Sequence, residues 1–386
     1  MNVWRTQGLM AALTILLAPG LMALAKSAPT DGQYVMYVGT YTGPASKGVY
    51  GFRYDARSGQ FTSLGVMAEV ANPSWVTTDP RQRVLYASTE ANSGDSTISA
   101  YAIDAKSGAL TLLNTASTGG SAAAQVSVDR TGRIIFVNNY GGGSVAALAL
   151  NADGSLGRRV GFDQHTGSSV NPRRQTAPHP HAVTISPDNR FLFTPDLGLD
   201  KVFSYRIDAA ARTFTPNDPA FVTVAPGMGP RHMAFSPNGK FAYVLCEMGS
   251  AVAAFAYDRA KGALTPIQTI STLPEGFKGA DTSAEIALTA SGRFLYASNR
   301  GDDSITEFHV EPDTGRLDKI AVTPTGGKGP RAFMIDPTGT RLLAADQTTN
   351  DIAVFAIDAE TGALTPTGQV LNVPSPVALI FAPIKR

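Results

Sequence analysis

A turn that runs into a strand recurs along this chain about every 50 residues, and that recurrence restricts the fold more than any other feature. Four copies align: Ser186-Pro187-Asp188-Asn189-Arg190-Phe191, Ser236-Pro237-Asn238-Gly239-Lys240-Phe241, Thr289-Ala290-Ser291-Gly292-Arg293-Phe294 and Asp336-Pro337-Thr338-Gly339-Thr340-Arg341. The fourth reads as carrying one extra residue or a strand slipped by one. Weaker copies start at Asp79-Pro80 and Asp129-Arg130. The equivalent positions 80, 130, 187, 237, 290 and 337 lie 50, 57, 50, 53 and 47 residues apart. Spacings of this size match the four-stranded blades of a β-propeller.

Within each copy an alternating strand meets a turn rich in Pro, Asn, Asp and Gly, residues that tolerate tight backbone angles. A strand of aromatic and β-branched residues follows. Then comes a third strand and a hairpin of the form Asp-x-x-x-Gly-x-Leu, as at Asp104 to Leu110, Asp258 to Leu264 and Asp358 to Leu364. No long helical periodicity interrupts the series. At the ends, residues 33–39 read as a second strand lacking a first, and residues 376–383 as a first strand lacking successors. Pairing the two closes the ring and hides two sheet edges. The expected fold is all-β, a seven-bladed propeller whose C-terminal strand completes the N-terminal blade. Two stacked sandwiches would need the regular period to be accidental.

The first 25 residues stand outside this pattern. Arg5 precedes an apolar run from Leu9 to Leu24, broken by Pro19-Gly20 and ending in the small-x-small Ala23-Leu24-Ala25. This reads as a cleaved secretory signal, too short and interrupted to serve as a span. The expected organisation is a signal over residues 1–25 and one propeller domain over 26–386, exported to a bacterial periplasm with no stable membrane anchor and acting as a monomer. Lys and Arg number 32 against 31 Asp and Glu, a net charge of +1, so the chain has no electrostatic footprint for nucleic acid. One cysteine, Cys246, excludes an internal disulfide framework and a multi-thiolate metal site, and reads as a packed small hydrophobe.

In a propeller the first strand of each blade lines the channel, and its start lies beside the end of the second strand. Six residues before each turn stand Ser74, Ala124, His181, Arg231, Ala284 and Arg331, and ten residues after stand Tyr140, Leu197, Glu247, Arg300 and Gln347. Both sets should meet at one channel mouth, with Asn139, Asp196, Asn299 and Asp346 on its rim. For a chain only 16% charged this is a dense polar group. The bland alternative is that the arginines pair with Glu247, Asp196 and Asp346 and merely plug the channel. By strand alternation His232 and Glu285, one residue out of phase, should face away from it, unless loops at the mouth overrule that for Glu285.

Several motifs in order then resemble one family: Tyr37-Val38-Gly39-Thr40-Tyr41-Thr42, Asn171-Pro172-Arg173-Arg174-Gln175, Pro178-His179-Pro180-His181, Gly229-Pro230-Arg231-His232, Ser298-Asn299-Arg300-Gly301 and Gly329-Pro330-Arg331. The chain is similar over nearly all its mature length to the seven-bladed propeller lactonases, which include bacterial 6-phosphogluconolactonases and fungal carboxymuconate lactonising enzymes. The resemblance implies His181, Arg231, Arg300 and Glu247 as active-site residues. The copy at Ala123-Ala124-Gln125 departs from the pattern and lacks proline or histidine.

Hydrolysis of a lactone needs a deprotonated water and stabilisation of a tetrahedral oxyanion. Histidine suits the first task and arginine the second. The expected roles are His181 as base, Arg231 and Arg300 as oxyanion and anion clamps, and Glu247 as an orienter of His181 or an arginine, or as the base itself. Arg331, Asp196, Asn299, Glu285 and Gln347 are the expected substrate contacts, with no metal and no cofactor. The expected partner is a small sugar lactone. The alternatives are a non-catalytic periplasmic propeller that binds a carbohydrate, peptide or protein, and ring closure of muconates.

Overall fold

A computed structural model gives the structure of the chain and describes residues 1, 32–91 and 93–385. The expected signal over residues 1–25 lies, apart from Met1, outside the described residues. Twenty-eight strands, numbered β1 to β28 in chain order, form seven four-stranded antiparallel sheets. No α-helix occurs among the described residues.

The inner strands are β4 (Pro73–Thr78), β8 (Ala123–Val128), β12 (Thr184–Ile185), β16 (Pro230–Phe235), β20 (Thr282–Leu288), β24 (Pro330–Ile335) and β28 (Pro376–Pro383). Their hairpin partners are β5 (Val84–Thr89), β9 (Ile134–Asn139), β13 (Phe191–Asp196), β17 (Phe241–Cys246), β21 (Phe294–Arg300), β25 (Arg341–Asp346) and, for β28, β1 (Gln33–Thr40). Pairing runs from Tyr34 opposite Pro383 to Gly39 opposite Ala378, so the two ends of the chain share one blade as the sequence implies. In the fourth copy β25 begins at Arg341, the same distance after the turn as Phe191 and Phe241. Nothing is inserted there; an arginine stands where three other blades place Phe191, Phe241 and Phe294.

Burial explains the strand composition. Every residue of β9, β13 and β17 is buried, because these strands are covered on both faces by neighbouring blades. Their sequences are therefore near-continuous apolar runs, not alternating ones. The buried apolar residues fall into seven clusters, one at each junction between blades, so the core is a ring of seven cores. Tyrosines fasten the junctions: Tyr37, Tyr86, Tyr243 and Tyr296 donate to the carbonyls of Gly108, Gly154, Gly315 and Gly362 at 2.6, 2.7, 3.1 and 2.8 Å. Each acceptor glycine has φ between 70° and 86°, and a Cβ there would collide with Val35, Val84, Phe241 or Phe294 of the adjoining blade. Glycine is required at these hairpins both for the left-handed backbone and for the close approach.

Candidate active site

Each inner strand carries one residue more than its partner near its start. The register shifts between Pro73 and Trp75, Ala123 and Gln125, Pro230 and His232, Ser283 and Ile286, and Pro330 and Ala332. In the closing blade Val377 is skipped in the pairing with β1, and between Pro180 and Thr184 the count again exceeds that of the partner by one. The residues six before each turn sit at or beside these bulges, among them Ser74, Ala124, Arg231 and Arg331. A bulge frees a backbone N–H, which here finds a side chain: Gln125 N–H donates to Asn138 Oδ1 and Glu285 N–H to Ser298 Oγ, both at 3.0 Å.

The bulges correct one expectation from alternation. His232 does not face away from the channel: its ring lies 5.2 Å from that of His181 and 5.3 Å from that of Trp75, edge to face. An extra residue at Arg231 lets both neighbours project toward the axis, which strict period-two reasoning cannot anticipate.

At the mouth formed by strand starts the chain converges on Glu247, which follows β17 and is 5% exposed. Arg231 Nε meets Oε2 at 2.9 Å, Arg300 Nη2 meets Oε2 at 3.1 Å, and Arg174 Nη2 meets Oε1 at 2.8 Å. Burial alone would raise this carboxyl, but Arg300, Arg231 and Arg174 outweigh it and bring it down to about 2. A carboxylate so committed is a poor proton acceptor at neutral pH. Its three arginines also make the spot repulsive to a metal cation.

His181 Nε2 lies 3.9 Å from Glu247 Oε2, beyond hydrogen-bond reach, so Glu247 orients arginines and not His181. The His181 ring is held well below its ordinary value by burial and by Arg231, His232 and Arg331. It is therefore neutral at pH 7, and its buried Nδ1 has no hydrogen-bond partner. Such a group has a free lone pair and nothing within the protein to spend it on. Arg231 is buried and is completed by a bond from Nη1 to the Ala284 carbonyl; burial, then the Arg300 charge, pull it down from the usual arginine value. Arg300 also donates to the carbonyls of Thr282 and Ser283 at 3.2 and 3.3 Å.

Of the expected substrate contacts, Arg331 reaches the mouth, where its Nη2 donates to the Tyr41 hydroxyl at 2.7 Å, and that hydroxyl donates to Glu90 at 2.7 Å. Gln347 follows β25, half-buried, with its backbone N–H on the Gly329 carbonyl. Asp196 and Asn299 are fully buried and already saturated. Asp196 takes bonds from His165 Nδ1 at 2.6 Å and from the backbone of His179 and Gly198, while Asn299 bonds Ser283, Ser304, Thr306 and the Thr272 carbonyl. Both brace the rim from behind. Glu285 lies deeper in the channel and accepts from His232 Nδ1 at 2.9 Å. Asp346 is likewise sealed under Thr325, its carboxyl pushed up to about 7 by burial, so the arginines do not use it. Cys246 packs in an apolar cluster, and burial raises its thiol to about 12.

Arg174, Tyr41 and Glu90 join the expected residues at the mouth. Glu90 is ten residues after Pro80 and obeys the rule that gave Glu247. Tyr41 holds the matching place after β1. Arg174 has no periodic signal, because it reaches over the mouth from the long connection before His181 and also donates to Tyr140 at 3.3 Å. Tyr140 in turn stacks on His179 at 4.5 Å, and gives the blade with the degenerate Ala124 copy a contact at the mouth after all. Every blade thus reaches the mouth.

The other end of the channel is open too. A cavity of about 1100 Å³ opens among the turns, lined by Trp75, Gln125, His232 and Glu285 and by turn residues such as Pro80, Arg130 and Pro237.

A family model described as Lactonase, 7-bladed beta-propeller, matches residues 35–381. The 6-phosphogluconolactonase of Bacillus subtilis is 36% identical over 349 residues, 90% of this chain and 98% of that relative. The 6-phosphogluconolactonase of Pectobacterium carotovorum is 33% identical over 86% of this chain and 94% of its own. Among solved structures, the periplasmic gluconolactonase of Pseudomonas aeruginosa superposes with a TM-score of 0.86 at 37% identity, over 92% of this chain and 100% of that one.

Proposed function

The chain belongs to the seven-bladed β-propeller lactonase family, and from that membership together with the charged mouth we infer that it hydrolyses a sugar lactone of the 6-phosphogluconolactone kind. The observation that carries this reading is the meeting of His181 with Arg231, Arg300 and Arg174 around Glu247 at one opening.

The chemistry follows from the charges. Four arginines, counting Arg331, outnumber the carboxyl groups of Glu247 and Glu90 and leave the mouth net positive. A lactone bearing a phosphate, or developing negative charge at its carbonyl oxygen, is drawn to it. Arg231 and Arg300, fixed by Glu247 and by backbone carbonyls, are preorganised donors for the oxyanion. Arg174 and Arg331, less deeply buried than Arg231, hold the substrate's outer anionic group. His181, neutral, takes the proton from water on its Nε2 side, which faces the Glu247 cluster, as that water attacks the carbonyl carbon. The proton then passes to the ring oxygen as the C–O bond breaks, giving the hydroxy acid. Glu247 is a positioning residue, and Gln347 adds a partly exposed amide to the rim. Asp196, Asn299 and Glu285 support the site without touching substrate.

Matches to named lactone hydrolases do not favour the alternative of a non-catalytic binding propeller, and nothing at the mouth favours muconate ring closure. Export is proposed from the sequence of residues 1–25 and from a periplasmic relative; osmotic-shock fractionation checks it. Activity is tested by following acid release from 6-phosphoglucono-δ-lactone and glucono-δ-lactone above the uncatalysed rate. Turnover of neither by the mature chain would overturn the reading.

A further inference from the structure

Directly beneath Arg231 the channel holds a second histidine–carboxylate pair, His232 and Glu285, that the hydrolysis above does not use. His232 is 4% and Glu285 8% exposed, and the pair lies between the charged mouth and the turn-side cavity.

The two ring nitrogens have different neighbours. Nδ1 faces Glu285 Oε1 at 2.9 Å, and Nε2 faces Arg231 Nη1 at 3.3 Å. A guanidinium nitrogen can only donate, so the ring atom opposite it must be an acceptor, Nε2 without its proton. The single ring proton then sits on Nδ1, where Glu285 Oε1 receives it. Glu285 is itself fixed, since the same oxygen accepts from Ile286 N–H at 3.0 Å. The rings of Trp75 and His181 pack against His232 edge to face and set its plane. Geometry alone therefore dictates the tautomer.

We propose that His232, locked in its neutral Nδ1–H form by Glu285, is a positioning residue that aims the Arg231 guanidinium at the reacting carbonyl. This rests on the lactone-hydrolase reading. Burial, and then the nearby Arg231 and Arg331 charges against the opposing pull of Glu285, keeps the imidazole below its ordinary value and so uncharged at neutral pH. Arg231 is gripped from three elements: Glu247 after β17, the Ala284 carbonyl in β20 and His232 beside it in β16. Removing the Nε2 acceptor frees the guanidinium to rotate about its remaining bonds, which misplaces the donors that meet the oxyanion. Outer partners of this kind are worth about 10–100-fold where their loss has been measured at metal sites, and small misplacements about 10²-fold.

Two substitutions separate the two ring contacts. In His232→Gln the amide oxygen reaches the Nε2 position and still accepts from Arg231. In His232→Asn the amide nitrogen reaches the Nδ1 position and keeps only the bond to Glu285. The asparagine variant is expected to lose about 10–100-fold in kcat with KM little changed, and the glutamine variant to stay within about fivefold of the parent, at matched melting temperatures. Equal losses in both, or full activity in the asparagine variant, overturn the proposal. Should either variant fail to fold, ¹⁵N NMR of the unaltered chain at pH 7 decides: the Nδ1–H tautomer is expected at His232, and an Nε2–H tautomer or an imidazolium overturns the proposal. That reading needs no activity, so a wrong tautomer and an inactive enzyme are distinguishable failures.

Discussion

The two ends of the channel are made by the same seven inner strands and differ in how alike the blades are there. At the turn end six of the seven blades repeat one device: the side chain at the turn's start accepts from the backbone N–H five residues on. This links Asp79 to Val84, Asp129 to Ile134, Ser186 to Phe191, Ser236 to Phe241, Thr289 to Phe294 and Asp336 to Arg341. At the other end the seven equivalent places hold Tyr41, Glu90, Tyr140, Leu197, Glu247, Arg300 and Gln347, no two neighbours alike. Where a repeat protein keeps a position uniform, the position serves the blade; where it varies among charged and aromatic groups, it serves something shared by all blades. The cavity of about 1100 Å³ lies at the uniform end.

The sharpest way to break this contrast is to remove its base. His181→Ala should lower kcat on the order of 10²–10⁴-fold with a small change in KM, measured on the turned-over lactone. Glu247→Gln should cost about 10²–10³-fold by unfixing the oxyanion donors, and should also lower the melting temperature, because three arginines lose a buried partner. The pH profile sharpens the comparison further. With its folded value depressed, His181 stays unprotonated below pH 6.5, so the acid limb of kcat/KM should fall below that of an ordinary histidine. Glu247 has the same sign of shift: its charge favours the folded state fully above its ordinary value of 4.5, and that contribution is lost as pH falls toward 2. The smallest effect is expected at the other end, where Ser127→Ala and Thr184→Ala line the turn-side cavity and should leave kcat/KM within about twofold. A tenfold loss there would erase the distinction between the mouths.

Blade number, ring closure and the meeting of His181, Arg231, Glu247 and Arg300 could be read from the sequence, because all follow from one period and two offsets along a hairpin. What escaped did so for local reasons. Asp196 and Asn299 stand one residue short of the offset that gives Leu197 and Arg300, and they are captured by partners no period predicts: His165 just past an outer strand, and hydroxyls of Ser283, Ser304 and Thr306. Alternation misdirects His232 because a bulge breaks it right after Gly229-Pro230; prolines also open the bulges at Pro73, Pro330 and Pro376, a signal that period-two reasoning passes over. Arg174 arrives from an irregular connection whose path depends on tertiary contacts such as Tyr140. Periodic structure is cheap to read; the bulges and loops that make the site are the parts that break the period.

The central claim is that chemistry occurs at the arginine-rich mouth and not in the wide cavity behind it. A crystal structure of the chain soaked with 6-phosphogluconate, the product, tests it most directly. The account predicts the new carboxylate within hydrogen-bond distance of Arg231 or Arg300 and beside His181, with the phosphate toward Arg174 or Arg331. Product seated among Gln125, Arg130 and Pro237, with the Glu247 cluster undisturbed, would contradict it.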